Sequence, residues 1–266
     1  MIKYLLFVIL PLCLSAGERI ASLSPAVTEL VIYAGGKDFL CARSSVCTMP
    51  EVKHLPVAGD LGKPFPEAVL KSRATLVISD ISHPQANWDL LRRCRIKVEL
   101  LPAKSVTDLP RNIRKIGDLL QINSEDAARN VEKKIAQIMR KRPEKPVRAA
   151  IIFSVEPLIS CGKSTFISDA LSLAGVENIA SESGESYFIF SQEALCAANP
   201  DVIIIIGVPE KNARDFFNCK SFQHLSAVKQ NKLFFPDSDI WSKLSPRLLD
   251  NLTSIFAERS VIIEGR

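Results

Sequence analysis

The stretch from Ser124 to Arg142, SEDAARNVEKKIAQIMRKR, constrains this chain more than any other. Apolar residues recur at Ala127, Ala128, Val131, Ile135, Ile138 and Met139, the spacing of one stripe along an α-helix. Asn123 or Ser124 caps the start, and Glu125 and Asp126 occupy the first turn, where the helix dipole favours negative charge. Arg140, Lys141 and Arg142 fill the last turn, where it favours positive charge, and Pro143 and Pro146 stop the helix. At about 1.5 Å per residue such a helix is roughly 27 Å long, about the width of a small domain. Alternating strand and helix patterns stand on both sides of it. The stretch therefore reads as a stiff strut between two lobes; the plainer alternative is a surface helix in a single domain.

Before the strut, strands are expected at 19–23, 39–42, 75–79 and 96–100, with helices from Ser24-Pro25 to Tyr33, from Pro66, and over 85–94. Residues 43–63 read as a loop, and 105–121 as a helix interrupted near Pro110. After the strut, strands are expected at 147–153, 202–206 and 232–235, with helices over 165–174, 191–198 and 246–258. This alternation implies an α/β fold of two Rossmann-like lobes, each a parallel sheet with helices on its faces. A single long α-helix joins the lobes, and a ligand cleft lies between them. The expected organisation is an N-terminal lobe over 17–104, a helical linker over 105–145 containing the backbone helix 124–142, a C-terminal lobe over 146–260, and a tail over 261–266. The last four residues, Ile263-Glu264-Gly265-Arg266, spell a protease-site linker and are left out of the fold.

Residues 1–16 read as a secretory signal peptide: Lys3 supplies the positive start, Tyr4 to Leu14 a short apolar run, and Ser15-Ala16-Gly17 small residues for cleavage. Leu-Pro-Leu before Cys13 is a poor lipobox, so a cleaved leader is expected rather than a lipid anchor. Export favours disulfides among Cys41, Cys47, Cys94, Cys161, Cys196 and Cys219, and Cys41 and Cys47 are close enough in sequence to pair. The three histidines, His54, His83 and His224, share no ligand spacing, so no metal site is expected. A net charge of +5, evenly spread, does not point to nucleic acid.

One internal repeat relates the two lobes. Residues 67–77, EAVLKSRATLV, align without gaps on 193–203, EALCAANPDVI, and each copy follows a Phe, Phe65 and Phe190. A Glu in the first turn of a helix gains from the dipole alone. At matched places on sister lobes, Glu67 and Glu193 also suit a pair of exposed carboxylates facing a partner's arginines. Gly162-Lys163-Ser164-Thr165 resembles the end of a phosphate loop, but position 157, where that loop needs glycine, is Pro157. No nucleophile elbow, zincin or dinucleotide motif is present, and no enzyme is expected. Aromatic and polar residues in loops at strand ends remain: Trp88, Tyr187, Phe188, Phe190, Asp239 and Trp241. In open α/β sheets ligands bind beyond the carboxyl ends of strands, so these residues suit a flat, partly apolar ligand.

Arg19 to Leu30, RIASLSPAVTEL, resembles the opening of the periplasmic cobalamin-binding proteins. These belong to the helical-backbone class of substrate-binding proteins that serve ABC importers of cobalamin, haem and iron-siderophores. Residues 43–50, 162–166 with 174–179, and 238–239 with 245–248 extend the resemblance over the mature chain. It implies two α/β lobes on one long helix, a ligand between them with little hinge closure, and no covalent chemistry. The ligand it implies is cobalamin or a related corrinoid, with haem or a ferric siderophore as alternatives and no cofactor. Trp88, Tyr187, Phe188, Phe190 and Trp241 would stack on it, and Ser24, Pro25, Asp239 and Lys243 would add polar contacts. Glu67 and Glu193 would dock a periplasmic monomer onto the importer's membrane subunits. An exported enzyme or chelatase on the same scaffold, or an adhesive surface protein, are the competing classes.

Overall fold

The computed structural model describes residues 17–84, 87–180 and 184–257, with side chains described as far as Leu252. The expected leader, Cys13 within it and the tail lie outside the described residues. The first half runs β1 (Ile20–Ser22), α1 (Pro25–Tyr33), β2 (Leu40–Ser44), β3 (Val57–Asp60), β4 (Lys63–Pro64), α2 (Pro66–Lys71), β5 (Leu76–Ser79), α3 (Trp88–Arg93), β6 (Lys97–Leu100) and α4 (Asp108–Leu120). Helix α5 (Glu125–Lys141) follows. The second half runs β7 (Val147–Val155), β8 (Leu158–Cys161), α6 (Phe166–Leu173), β9 (Val176–Asn178), β10 (Tyr187–Ile189), α7 (Gln192–Ala198) and β11 (Val202–Ile205). It closes with α8 (Glu210–Phe217), α9 (Ser226–Lys229), β12 (Leu233–Phe234), α10 (Ser238–Trp241) and α11 (Pro246–Ala257).

Two sheets form, one from each half. The first has the order β4-β3-β2-β1-β5-β6; the second has β10-β8-β7-β11-β12, with β9 also pairing on β7. The sheets are mostly parallel, as expected, with antiparallel pairs in each. In the first sheet β3 and β4 pair antiparallel. In the second, β7–β8 and β8–β10 are antiparallel, beside parallel β7–β11, β11–β12 and β7–β9. Only Glu156 and Pro157 separate β7 from β8. A connection that short can join only antiparallel neighbours. Strands β3 and β4 occupy what reads as a loop, because they are short and lack period-2 alternation. Gly62 makes their turn: its φ is 65°, and a Cβ there would sit 2.6 Å from the Ile81 carbonyl oxygen.

The repeat is structural as well as sequential. Helix α2 and strand β5 recur as α7 and β11 at the same offset, and each copy leaves its helix through a left-handed residue, Arg73 (φ 57°) and Asn199 (φ 42°). Both strands lie inside their sheets, β5 between β1 and β6, β11 between β7 and β12.

Helix α5 buries Ala128, Val131, Ile135 and Ile138, while Met139 is 47% exposed and stands outside the expected stripe. It packs along α4 and α11. A Cβ at Gly117 would fall 2.1 Å from Ser124 Oγ, so glycine is what lets the end of α4 approach the start of α5. Arg114 of α4 reaches Glu125 at 2.8 Å and Glu132 at 2.7 Å, and Arg129 reaches Glu125 at 2.8 Å. The Arg114 and Arg129 guanidinium groups hold the Glu125 carboxyl down to about 2. Helix α4 is not interrupted at Pro110. That residue falls in the first turn, where its missing N–H would have had no intrahelical partner.

One hydrophobic cluster runs through both halves, from Ile20 and Ile78 on the first sheet, through Val131 and Ile135 of α5, to Ile151 and Ile204 on the second. The opposite face of each sheet carries a separate cluster, around Val77 and Leu91 in the first and Ile203 and Phe217 in the second. A shared core of this kind resists opening, because separating the halves would expose apolar side chains at roughly 1.5–3 kcal/mol each.

All six described cysteines are free thiols, which corrects the expected disulfides. Cys41 packs with Val77 and Leu91, whereas Cys47 packs in the cluster on the other face of the sheet, so the two thiols point apart. Among the described residues no helix is long and apolar enough to cross a membrane.

Candidate ligand-binding site

The carboxyl ends of the first sheet's strands converge on one cavity of about 460 Å³, within the range of about 300–1,000 Å³ usual for small-molecule sites. β1 delivers Ser24, whose extended backbone (φ −153°) and hydroxyl, accepting from the Val27 N–H at 3.2 Å, start α1. Pro25 at the first helical position removes an N–H that would have gone unpaired. Thr48 follows β2, Leu61 follows β3, and Asp80 and Ile81 follow β5. The facing wall comes from the second half: Phe166 at the start of α6, and Asp239 and Lys243 around α10.

An ion-pair quartet ties the two walls together. Lys243 Nζ lies 2.9 Å from Glu29 Oε1 on α1 and 3.0 Å from Asp239 Oδ1. Arg247 bonds the same two acids, each at 3.1 Å. Glu29 and Lys243 are 5% and 8% exposed. Burial works against the Lys243 charge, but Glu29 and Asp239 outweigh it and raise its pKa. The hydrogen bond from Lys243 holds the Asp239 carboxyl below the usual carboxylate range. Asp80 behaves oppositely: burial pushes its carboxyl up, against the pull of the Ser24 hydroxyl and of the Asp80 and Ile81 backbone amides.

Four residues expected at the site, Ser24, Pro25, Asp239 and Lys243, come together on this cavity. The two tryptophans do not reach it. Trp88 is 8% exposed in the first sheet's outer cluster, its Nε1 donating to Ser82 Oγ at 2.9 Å. Trp241 is 1% exposed in the central cluster, its Nε1 donating to Asn251 Oδ1 at 2.5 Å. Both satisfy their N–H internally, as core tryptophans do. Tyr187 and Phe188 belong to edge strand β10 rather than to a loop. Tyr187 packs edge-on against Phe153 at 5.3 Å, which borders a separate hollow of about 790 Å³ at the ends of β7 and β11. Phe188 packs on Phe190 at 6.0 Å, and Phe190 rests on the second sheet's outer cluster.

Sequence reasoning missed Asp80, Phe166 and the buried Glu29. Asp80 directly follows an apolar strand, and that position alone could have marked it. Thr165 caps α6, its Oγ1 accepting from the Ser168 N–H at 3.4 Å, so the residues resembling a phosphate loop are a helix start. Glu67 and Glu193 are both exposed in the first turns of α2 and α7. Among the described residues, no group of three or more His, Cys, Asp or Glu side chains is placed to hold a metal ion.

Known proteins resemble this chain along most of its length. The vitamin B12-binding protein of Pectobacterium atrosepticum is 28% identical, the match covering 87% of this chain and 85% of that protein. The periplasmic heme binding protein HutB of Vibrio cholerae superposes with a TM-score of 0.78 at 25% identity, over 90% of this chain and 98% of that one. The periplasmic vitamin B12 binding protein BtuF of Vibrio cholerae superposes with a TM-score of 0.77 at 23% identity, over 91% and 98%. The family model described as periplasmic binding protein matches residues 20–240. That span takes in both sheets, the helix between them and most of the cavity wall, and the chain belongs to the periplasmic binding protein family.

Proposed function

We propose that this protein is exported, loses residues 1–16, and works in the periplasm as a monomeric substrate-binding protein. It captures cobalamin or a related corrinoid between its two halves and delivers it to an ABC importer. The carrying observation is a cavity whose walls come from the strand ends of one half and the α10 region of the other. The name of the 28% identical relative supports the choice of ligand. Ser24, Pro25, Asp239 and Lys243 face the ligand, while Tyr187, Phe188 and Phe190 lie outside the lining of that cavity. The protein binds and releases without covalent chemistry. Glu67 and Glu193, exposed at matched positions of the repeat, dock the loaded protein on the importer's membrane subunits, and no lipid at Cys13 holds it.

A second reading is a haem carrier of the same class, favoured by the 25% identity to a heme binding protein. Gel filtration of the mature protein with cyanocobalamin, haemin or a ferric siderophore tests the proposal. Cyanocobalamin colour is expected to elute with the protein at one per chain. Colourless protein after cyanocobalamin, with coloured protein after haemin, would replace the first reading by the second.

A further inference from the structure

The interlobe cavity presents apolar surface that the described residues leave uncovered. Val46, Leu61 and Ile81 are large apolar side chains 50%, 42% and 44% exposed, and all three line this cavity. Apolar residues exposed singly are ordinary. Three that converge from separate turns form a patch, and such patches mark binding grooves. The backbone holds this patch in place. Val46 follows β2, Leu61 sits in the turn between β3 and β4, and Ile81 follows β5. The Ser45 N–H donates to the Gly59 carbonyl at 2.8 Å, which fixes the first turn on the second. The Gly62 N–H donates to the Leu23 carbonyl at 3.0 Å, and the His83 N–H donates to the Gly62 carbonyl at 3.0 Å. These bonds fix the second turn on the end of β1 and on the third turn. Ser79 Oγ donates to the Ile81 carbonyl at 2.7 Å and accepts from the Ile81 N–H at 3.3 Å. A surface tied in this way loses little freedom when a ligand covers it.

The charged groups of the same cavity are already engaged. Lys243 is held by Glu29 at 2.9 Å and Asp239 at 3.0 Å, and the Asp80 carboxyl is bonded by the Ser24 hydroxyl and by the backbone amides of Asp80 and Ile81. What the first half has left to offer a ligand is therefore aliphatic contact. Such contact is non-directional and grows with the area covered. It suits the broad hydrocarbon face of a macrocycle rather than a small polar solute. A corrin is partly saturated and carries methyl groups on both faces, so branched aliphatic side chains pack between those groups.

We propose that Val46, Leu61 and Ile81 form an aliphatic platform on which the ligand's macrocycle rests, in the place that the sequence suggested for tryptophans. This rests on the corrinoid reading above, which supplies the macrocycle. Calorimetric titration of the mature protein with cyanocobalamin tests it, using wild type, Leu61→Ser, Val46→Ser and the double variant. The control is Leu70→Ser, at an α2 side chain 47% exposed and outside the cavity lining. Wild type is expected to bind with a negative heat-capacity change, the mark of apolar surface being buried. Leu61→Ser and Val46→Ser should each weaken binding about 3- to 10-fold, the range for covering roughly half of such a side chain. The double variant should lose about 10- to 100-fold, with a less negative heat-capacity change. Leu70→Ser should bind as wild type does. If one cavity variant is unstable, the other decides alone. Wild-type affinity and heat capacity in the cavity variants, or an equal loss in Leu70→Ser, would overturn the platform and leave the corrinoid reading standing. Wild type binding no cyanocobalamin would overturn both.

Discussion

Replacing Lys243 by Met removes one of the two cations that join the two walls of the site. Its Nζ lies 2.9 Å from Glu29, whose side chain is 4% exposed, and the Lys243 side chain is itself 9% exposed. Breaking a desolvated pair by deleting one partner typically costs about 3–5 kcal/mol, because a buried charge is stranded. Two features lower that figure here. Arg247 still holds Glu29 at 3.1 Å, and the bond to Asp239 involves a side chain 53% exposed, where solvent screens the interaction. Glu29 Oε2 has no partner to absorb the loss. A net destabilisation of about 2–4 kcal/mol follows, which lowers Tm by roughly 5–12 °C for a chain of this size. The double variant Glu29→Gln, Lys243→Met removes both charges and should be less damaged than the sum of the single variants by at least about 1 kcal/mol. Lys243 has a raised folded pKa, so its contribution is present below its unfolded value and lost as pH rises through the folded one. Asp239 has a depressed folded pKa, so its contribution is present above its unfolded value and lost as pH falls through the folded one. The Lys243→Met deficit should therefore be largest between about pH 5 and 9. Calorimetric melts of the four-protein cycle across pH measure all of this. A Tm change under about 2 °C, or strictly additive losses, would refute the clamp.

Further outcomes follow from the same contacts. Glu67→Ala with Glu193→Ala should abolish importer-dependent uptake in cells while leaving ligand affinity in solution unchanged, since both residues are exposed and neither lines the cavity. On α5, Ile138→Ala should cost about 2–5 kcal/mol in urea unfolding because the residue is 3% exposed, whereas Met139→Ala, at a 47% exposed neighbour, should stay within about 0.5 kcal/mol. Thiol titration of the mature protein without reductant should find six thiols after denaturation; in the native state Cys94 and Cys219 should react first, and Cys47 and Cys161, both fully buried, last.

Helix α5 was readable from the sequence because its signal is long and periodic: 17 residues with a buried stripe, acid at one end and base at the other. The repeat was readable because both copies need the same turn between a short helix and a buried strand. Strands β8, β9 and β10 were not. They are three or four residues long, and their pairing is set by partners distant in sequence rather than by local pattern. At the site, Ser24 and Pro25 announced themselves through helix-start chemistry, which is local. Trp88 and Trp241 stand at helix ends near strand termini, where sequence does not tell a rim residue from a large aromatic folded back into the core. Asp80 is an ordinary polar residue after a strand in the sequence; only the assembled fold brings it to the cavity wall. The quartet was out of reach for the same reason, as Glu29 and Arg247 are 218 residues apart.

Hydrogen–deuterium exchange of the mature protein with and without cyanocobalamin tests the account most directly. Slowed exchange is predicted in the turns at 24–26 and 80–81 of the first half and at 239–244 of the second, all in the same sample. Protection confined to one half, or appearing only around the hollow at the ends of β7 and β11, would contradict a ligand held between the two.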